Sequence, residues 1–209
     1  EELSRVLPVI KGLSGEARVV SCDTRKANVM RAAVLGGAAI INDVSALQHD
    51  PQSAAAIAEL GCPVVLMHAQ GDPKTMQLSP TYDDVALDVY DALEIRIAVC
   101  IAAGIARSRI VIDPGVGFGK TFRHNLDVLN QLTLFHGLGV PLLIGLSRKG
   151  FVGAITGEKT PGQRVYGSLG GAIHGALNGA HILRVHDVKA TVAALAVALA
   201  AADPASSGM

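Results

Sequence analysis

Six short apolar runs alternate with helical patterns along the chain, and no other feature restricts its possible folds as much. The runs are residues 18–22, 38–41, 63–67, 110–112, 141–146 and 181–185. Helical periodicity occupies residues 1–13, where Leu3, Val6, Leu7, Ile10 and Leu13 share a face. It returns over 27–35, 53–60, 82–103, 125–135, 165–177 and 189–201, with a further short helix before 165. Gly15, the pair Gly36 and Gly37, and Gly61 punctuate the first three of these, and Asp23 or Thr24 is placed to cap the second. Strict βα alternation predicts an α/β fold with a parallel sheet and right-handed crossovers. One domain is expected over residues 1–209, with a frayed tail at 203–209.

Half of the residues are hydrophobic and only 3% are aromatic, which predicts an aliphatic interior of helices on strands. Basic and acidic side chains balance at 18 each, so no bulk field recruits nucleic acid or an anionic membrane. Cys22, Cys62 and Cys100 are widely spaced and form no C-x-x-C. Neither a disulfide framework nor a zinc site is indicated, and a reducing cytoplasm is the expected location. The most apolar window, residues 192–202, is about half the ~20 residues of a membrane span and reads as a buried helix.

Residues 110–120 read I-V-I-D-P-G-V-G-F-G-K. The β-branched run is a buried strand that must stop at Asp113-Pro114, because proline donates no ladder hydrogen bond. Three alternating glycines then permit a tight turn close to a ligand. The expected result is a carboxylate at a strand's carboxyl end beside a flexible, basic-tipped loop. A P-loop is excluded because its first glycine would fall on Pro114, and Gly115, Gly117 and Gly119 give G-x-G-x-G rather than a dinucleotide fingerprint.

Every apolar run ends in polar residues: Asp23, Asn42, His68, Asp113, Ser147 with Arg148 and Lys149, and Arg184 with His186. In a (β/α)₈ barrel such strand ends build one active face, whereas an open doubly wound sheet binds at a switch point. Six polar exits favour the barrel. Carboxylates and an amide beside Lys, Arg and His suit a polar, partly anionic ligand.

The segments S-C-D-T (21–24), I-I-N-D-V-S (40–45), L-M-H-A-Q-G-D-P-K-T-M-Q (66–77), D-P-G-V-G-F-G-K (113–120), G-L-S-R-K (145–149) and G-A-H-I-L-R-V-H-D-V (179–188) together resemble the dihydropteroate synthases, in that family's order. The resemblance implies a (β/α)₈ barrel of folate biosynthesis. Such an enzyme joins 4-aminobenzoate to a dihydropterin bearing a hydroxymethyl pyrophosphate and releases pyrophosphate. It implies that Asp23, Asn42, Asp113 and Lys149 bind the pterin, that Arg184 and His186 anchor the pyrophosphate, and that Ser147 and Arg148 lie on the aminobenzoate side. Asp23, Lys149 and Arg184 are the implied catalytic residues. A carboxylate and a carboxamide can read the donors of a pterin edge, and a guanidinium fork suits phosphate oxygens. Magnesium and a cytoplasmic homodimer are also implied. Asp43, Lys120, His124 and His174 read as structural or solvated, and Met67 as core.

A barrel should open with a strand, yet the sequence opens with a helix and offers six strands where closure takes eight. The expectation is that about 60 residues of the family's first two units are not in this sequence, at roughly 31 residues per unit. The family's metal-binding asparagine, its N-P-D-S-F loop and its T-R-P loop belong there, so no metal ligand is expected in this chain. Cys22, Ala69 and Gly150 are smaller departures from the family pattern. Two rival readings are a non-catalytic pterin-binding remnant or partner subunit, and a methyltransferase that uses a reduced folate. Arg184, His186 and the S-R-K segment argue against the methyltransferase.

Overall fold

The computed structural model describes residues 1–15, 18–71, 76 and 78–207. In chain order the elements are α1 (Glu2–Ser14), β1 (Ser21–Asp23), α2 (Ala27–Leu35), β2 (Ile40–Asp43), α3 (Ser53–Leu60), β3 (Val64–Met67) and α4 (Val85–Ala102). They continue with β4 (Ile110–Asp113), α5 (Phe122–Asn130), β5 (Leu143–Ile144), α6 (Gly150–Thr156), α7 (Val165–Leu177), β6 (Ile182–Leu183) and α8 (Val188–Ala202). Short 3₁₀ turns occupy Leu132–Leu138 and Pro204–Ser207, the latter within the tail expected to fray. The chain forms two compact units, one of residues 1–69 and 87–114, the other of residues 70–86 and 115–209.

The first unit is built on a parallel sheet in the order β1-β2-β3-β4. Its outer face is apolar: Ile41, Val64, Leu66, Ile110 and Ile112 are fully buried, as are Met30 and Ala33 of α2, Ile57 of α3 and Leu93 of α4. Burying each aliphatic side chain of Leu or Ile size contributes roughly 1.5–3 kcal/mol. The helix over residues 27–35 forms as expected, but its cap does not. Asp50 Oδ2 accepts the first N–H, from Ala27, at 2.9 Å, while Thr24 Oγ1 donates to Glu2 of α1 at 2.7 Å. The first two strands begin later than residues 18 and 38, because the Val20 carbonyl accepts from both Ala39 and Ile40 N–H groups. That fork interrupts the ladder, and regular pairing starts at Ser21 with Ile40.

The second unit holds β5 and β6, paired in parallel with Leu143 beside Ile182 and Ile144 beside Leu183. These strands are shorter than residues 141–146 and 181–185, and they start late for the same reason. The Leu142 carbonyl accepts from both His181 and Ile182 N–H groups. The core gathers Val128, Leu132, Phe135, Leu142 and Ile144, none more than 1% exposed. The helix expected at 125–135 starts earlier, at Phe122, because Thr121 and His124 close a reciprocal capping box. It also ends earlier and gives way to the 3₁₀ turn. The final helix is not buried as its apolar sequence suggested: Val192 is 61% and Val197 73% exposed. An alanine-rich helix is apolar all round, so composition alone does not say which face is covered. Among the described residues, no helix is long and apolar enough to cross a membrane.

Candidate active site

Strand parity decides which polar groups of the first unit share a face. Asp23 is in register with Asn42, Asn42 with Val65, and Val65 with Val111. Side chains alternate along a strand, so Asp113, two residues beyond Val111, lies on the same face one row further along. Asn42 donates from Nδ2 to Asp23 Oδ2 at 3.0 Å. Asn42 and Asp113 are buried, at 4% and 1% exposure, while Asp23 faces solvent. His68 N–H donates to the Asp113 carbonyl at 2.9 Å and fixes the end of that strand.

The same parity sends Asp43 to the opposite face. It is completely buried and accepts from Ser45 N–H at 2.7 Å, Ser45 Oγ at 2.6 Å and Leu47 N–H at 3.2 Å. Burial pushes its carboxyl above the usual carboxylate range, against the lowering by these donors. The turn it organises contains two left-handed non-glycine residues, Ala46 at φ 50° and Leu47 at φ 61°. Arg96 holds that turn by donating from Nε to the Ala46 carbonyl at 2.9 Å. Asp43 is structural, as its sequence context suggested, and Met67 is core at 1% exposure.

In the second unit the glycine loop is pinned from within. Asn125 Oδ1 accepts from Gly117 N–H at 2.6 Å, and its Nδ2 donates to the Thr121 carbonyl at 2.8 Å. Lys120, expected as a basic loop tip, is 3% exposed. Its Nζ donates to the carbonyls of Gly115 and Phe118, each at 3.2 Å. A Cβ at Gly117, where φ is 85°, would stand 2.7 Å from Lys149 Cδ, so only glycine admits the lysine. Lys149 Nζ donates to the Val116 carbonyl and lies 4.4 Å from the centroid of the Phe118 ring. Gly117, Phe118, Lys120, Lys149 and Phe151 help line an open pocket of about 390 Å³. A larger cavity of about 540 Å³ lies among α5, α6 and α7, and no predicted site residue lines it.

The remaining cations and hydroxyl gather after β5 and β6. Ser147 Oγ accepts from His186 N–H at 3.3 Å and sits 3.1 Å from that residue's Nδ1. Arg148, assigned by sequence to the aminobenzoate side, forms a fork with Asp187, Nη2 to Oδ1 at 2.6 Å and Nε to Oδ2 at 3.0 Å. The Arg148 guanidinium holds the Asp187 carboxyl below its usual range. Arg184 lies over Gly145, where a Cβ would be 2.9 Å from its Nη2.

The structure therefore brings Asp23, Asn42 and Asp113 together in one unit, and Ser147, Arg148, Lys149, Arg184 and His186 in the other. Asp72, Pro73, Lys74, Thr75 and Gln77 of the 66–77 motif lie outside the described residues. Sequence reasoning missed Asn125, Ser168, Arg164 and Asp187, which act on loop backbone or on another site residue. Only the D-V that follows His186 hinted at one of them. No group of three or more possible metal ligands occurs among the described residues.

Residues 1–186 match the family model of pterin-binding enzymes. The dihydropteroate synthase of Escherichia coli strain K12 is 47% identical over 198 residues, covering 94% of this chain and 70% of that protein. A solved Xanthomonas albilineans dihydropteroate synthase with 4-aminobenzoic acid is 48% identical, with a TM-score of 0.91 over 97% of this chain and 72% of that one. The same enzyme in complex with 7,8-dihydropteroate gives 47% and 0.91, over 97% and 74%. The fold class is thus the α/β barrel of these proteins, and six of its parallel strands lie among the described residues. It belongs to the pterin-binding enzyme family, among the dihydropteroate synthases.

Proposed function

We propose that this chain acts in folate biosynthesis as a dihydropteroate synthase. It condenses 4-aminobenzoate with (7,8-dihydropterin-6-yl)methyl diphosphate. The amine nitrogen bonds to the methylene carbon, the carbon–oxygen bond to diphosphate breaks, pyrophosphate leaves with the electron pair, and the amine loses a proton. The observation that carries this reading is the row of Asp23 and Asn42 with Asp113 on the same sheet face. A buried carboxylate, Asp113, and a buried carboxamide, Asn42, on one sheet face match the amine and ring N–H donors of a pterin edge. Asp23 also opposes positive charge developing on the pterin as the bond to diphosphate breaks.

In the second unit, Arg184 supplies a guanidinium for phosphate oxygens. His186, with Nδ1 turned to Ser147 Oγ, offers Nε2 to the same group. Stabilising the leaving group lowers the barrier. Lys149 adds a cation towards the pterin, and Ser147 with Arg148 belongs to the aminobenzoate side. Magnesium prefers oxygen ligands and substrate phosphates. No group of three or more possible metal ligands occurs among the described residues, so substrate phosphates would supply much of its coordination. We place the protein in the cytoplasm as a homodimer. The buried thiols of Cys22, Cys62 and Cys100 support the first, and the exposed apolar residues of α8 support the second.

The test is pyrophosphate release from the two substrates, followed by comparing affinity for the pterin diphosphate with that for the pterin alcohol. Arg184→Ala should weaken the diphosphate about tenfold or more and leave the alcohol unchanged. Equal effects on both would overturn the anchor.

A further inference from the structure

Arg148 stands between two candidate substrate residues in a left-handed conformation, φ 61°, that a side chain rarely adopts. Four of its polar groups are held. Its N–H donates to Ser168 Oγ at 2.9 Å, and Ser168 Oγ donates to the Arg164 carbonyl at 2.7 Å. Arg164 Nη1 returns to the Arg148 carbonyl at 2.9 Å, while its Nε and Nη2 hold the carbonyls of Glu158 and Lys159. The Arg148 guanidinium itself is taken by Asp187. Ser147 and Arg148 are adjacent, and so are His186 and Asp187, so the turns after β5 and β6 are tied by two neighbouring links.

We propose that Asp187 is a positioning residue: through its fork to Arg148 it holds the 147–149 turn, keeping Ser147 against His186 and Lys149 in its groove at Gly117. Asp187 touches neither Ser147 nor Lys149 in any hydrogen bond found in the structure, so its effect runs through the arginine. A planar fork is the geometry that needs arginine rather than lysine. It also explains why a strained residue persists there, since strained backbone survives only where its surroundings over-determine it. Asp187 governs the order of the aminobenzoate side without contacting a reacting atom. That role rests on the reading of Ser147 to Lys149 as a substrate loop; the latch itself does not.

The experiment combines amide hydrogen exchange with steady-state kinetics on the whole chain carrying Asp187→Asn, Asp187→Ala or Asp187→Glu. Asp187→Asn and Asp187→Ala should quicken exchange at residues 147–149 about tenfold, with α7 unchanged, as expected when a local opening loses one charge-assisted contact. KM for 4-aminobenzoate should rise at least about fivefold, by more than kcat falls, and Asp187→Glu should restore part of both. Unchanged exchange at 147–149 overturns the latch. Faster exchange with an unchanged KM overturns the positioning role. A wild-type chain that condenses nothing sinks the synthase reading instead, and the exchange data still decide whether Asp187 holds the turn.

Discussion

Asn42 donates from Nδ2 to Asp23 Oδ2 across two neighbouring strands at 3.0 Å, so a neutral amide supplies a donor where a carboxylate would add a second charge. Asn42→Asp would set a second carboxylate in its place. Two carboxylates this close cannot both ionise freely, so one carboxyl is raised above its unfolded value. A raised folded value gives stability that is present at low pH and lost as pH rises through it. The variant should therefore melt close to wild type at pH 4.5 and about 3 °C lower at pH 7.5, because Asp23 is solvent-facing and the repulsion amounts to only about 1 kcal/mol. Thermal melts at the two values check this, and a pH-independent gap would refute it.

Cys100 is fully buried, and desolvation pushes its thiol up to about 11. Burial raises Cys22 and Cys62 as well. The thiolate is the reactive form, so all three should resist iodoacetamide at pH 8. Less than about one-tenth should be alkylated in an hour in native buffer, against complete reaction in denaturant. Mass spectrometry reads the difference, and a rapidly labelled native cysteine would contradict the buried placement.

Much of this architecture could be read from residue order because local chemistry decides it. Gly36 and Gly61 end α2 and α3 where the periodicity stops, and the span of α7 is likewise legible. Asp113 was visible because proline forces the strand to end at it. The starts of β1, β2, β5 and β6 were not visible, since the forked carbonyls of Val20 and Leu142 depend on partners 19 or more residues away. The inward turn of Lys120 was hidden for a related reason, because it is set by carbonyls that a curled loop presents. Asp187 was illegible as a partner of Arg148, which precedes it by 39 residues. The separation of Asn42 from Asp43 follows from strand alternation, but only once the sheet has been placed.

Asp43 is raised by burial while three donors face it. Asp43→Asn keeps one acceptor oxygen and turns an NH₂ towards a former donor, a loss of about 1–3 kcal/mol. The sign of its pH dependence is fixed by the raised folded value. Wild type has the full contribution below the unfolded carboxylate value and loses part of it as pH climbs through the folded one. The deficit of the variant should accordingly be largest near pH 4 and narrow towards pH 7. Urea titrations of both proteins across that range measure it, and a deficit that widens with pH would contradict the burial argument.

Gly145 gives a way to disturb Arg184, the proposed phosphate anchor, without replacing it. A Cβ at Gly145 would lie 2.9 Å from Arg184 Nη2 and 3.0 Å from Nε. Those atoms are the far end of a flexible side chain, so the guanidinium can swing aside at little cost to the fold. Gly145 carries no left-handed φ, so alanine adds no backbone strain there. Gly145→Ala should thus leave the melting temperature within about 2 °C of wild type. Pyrophosphate affinity should nevertheless fall about tenfold, since a displaced fork cannot keep its paired hydrogen bonds to phosphate oxygens. Pairing Gly145→Ala with Arg184→Ala sharpens the test. If the glycine acts through the arginine, the double variant binds pyrophosphate no worse than Arg184→Ala alone. Additive losses in calorimetric titrations would mean that Gly145 serves the anion by some route other than Arg184.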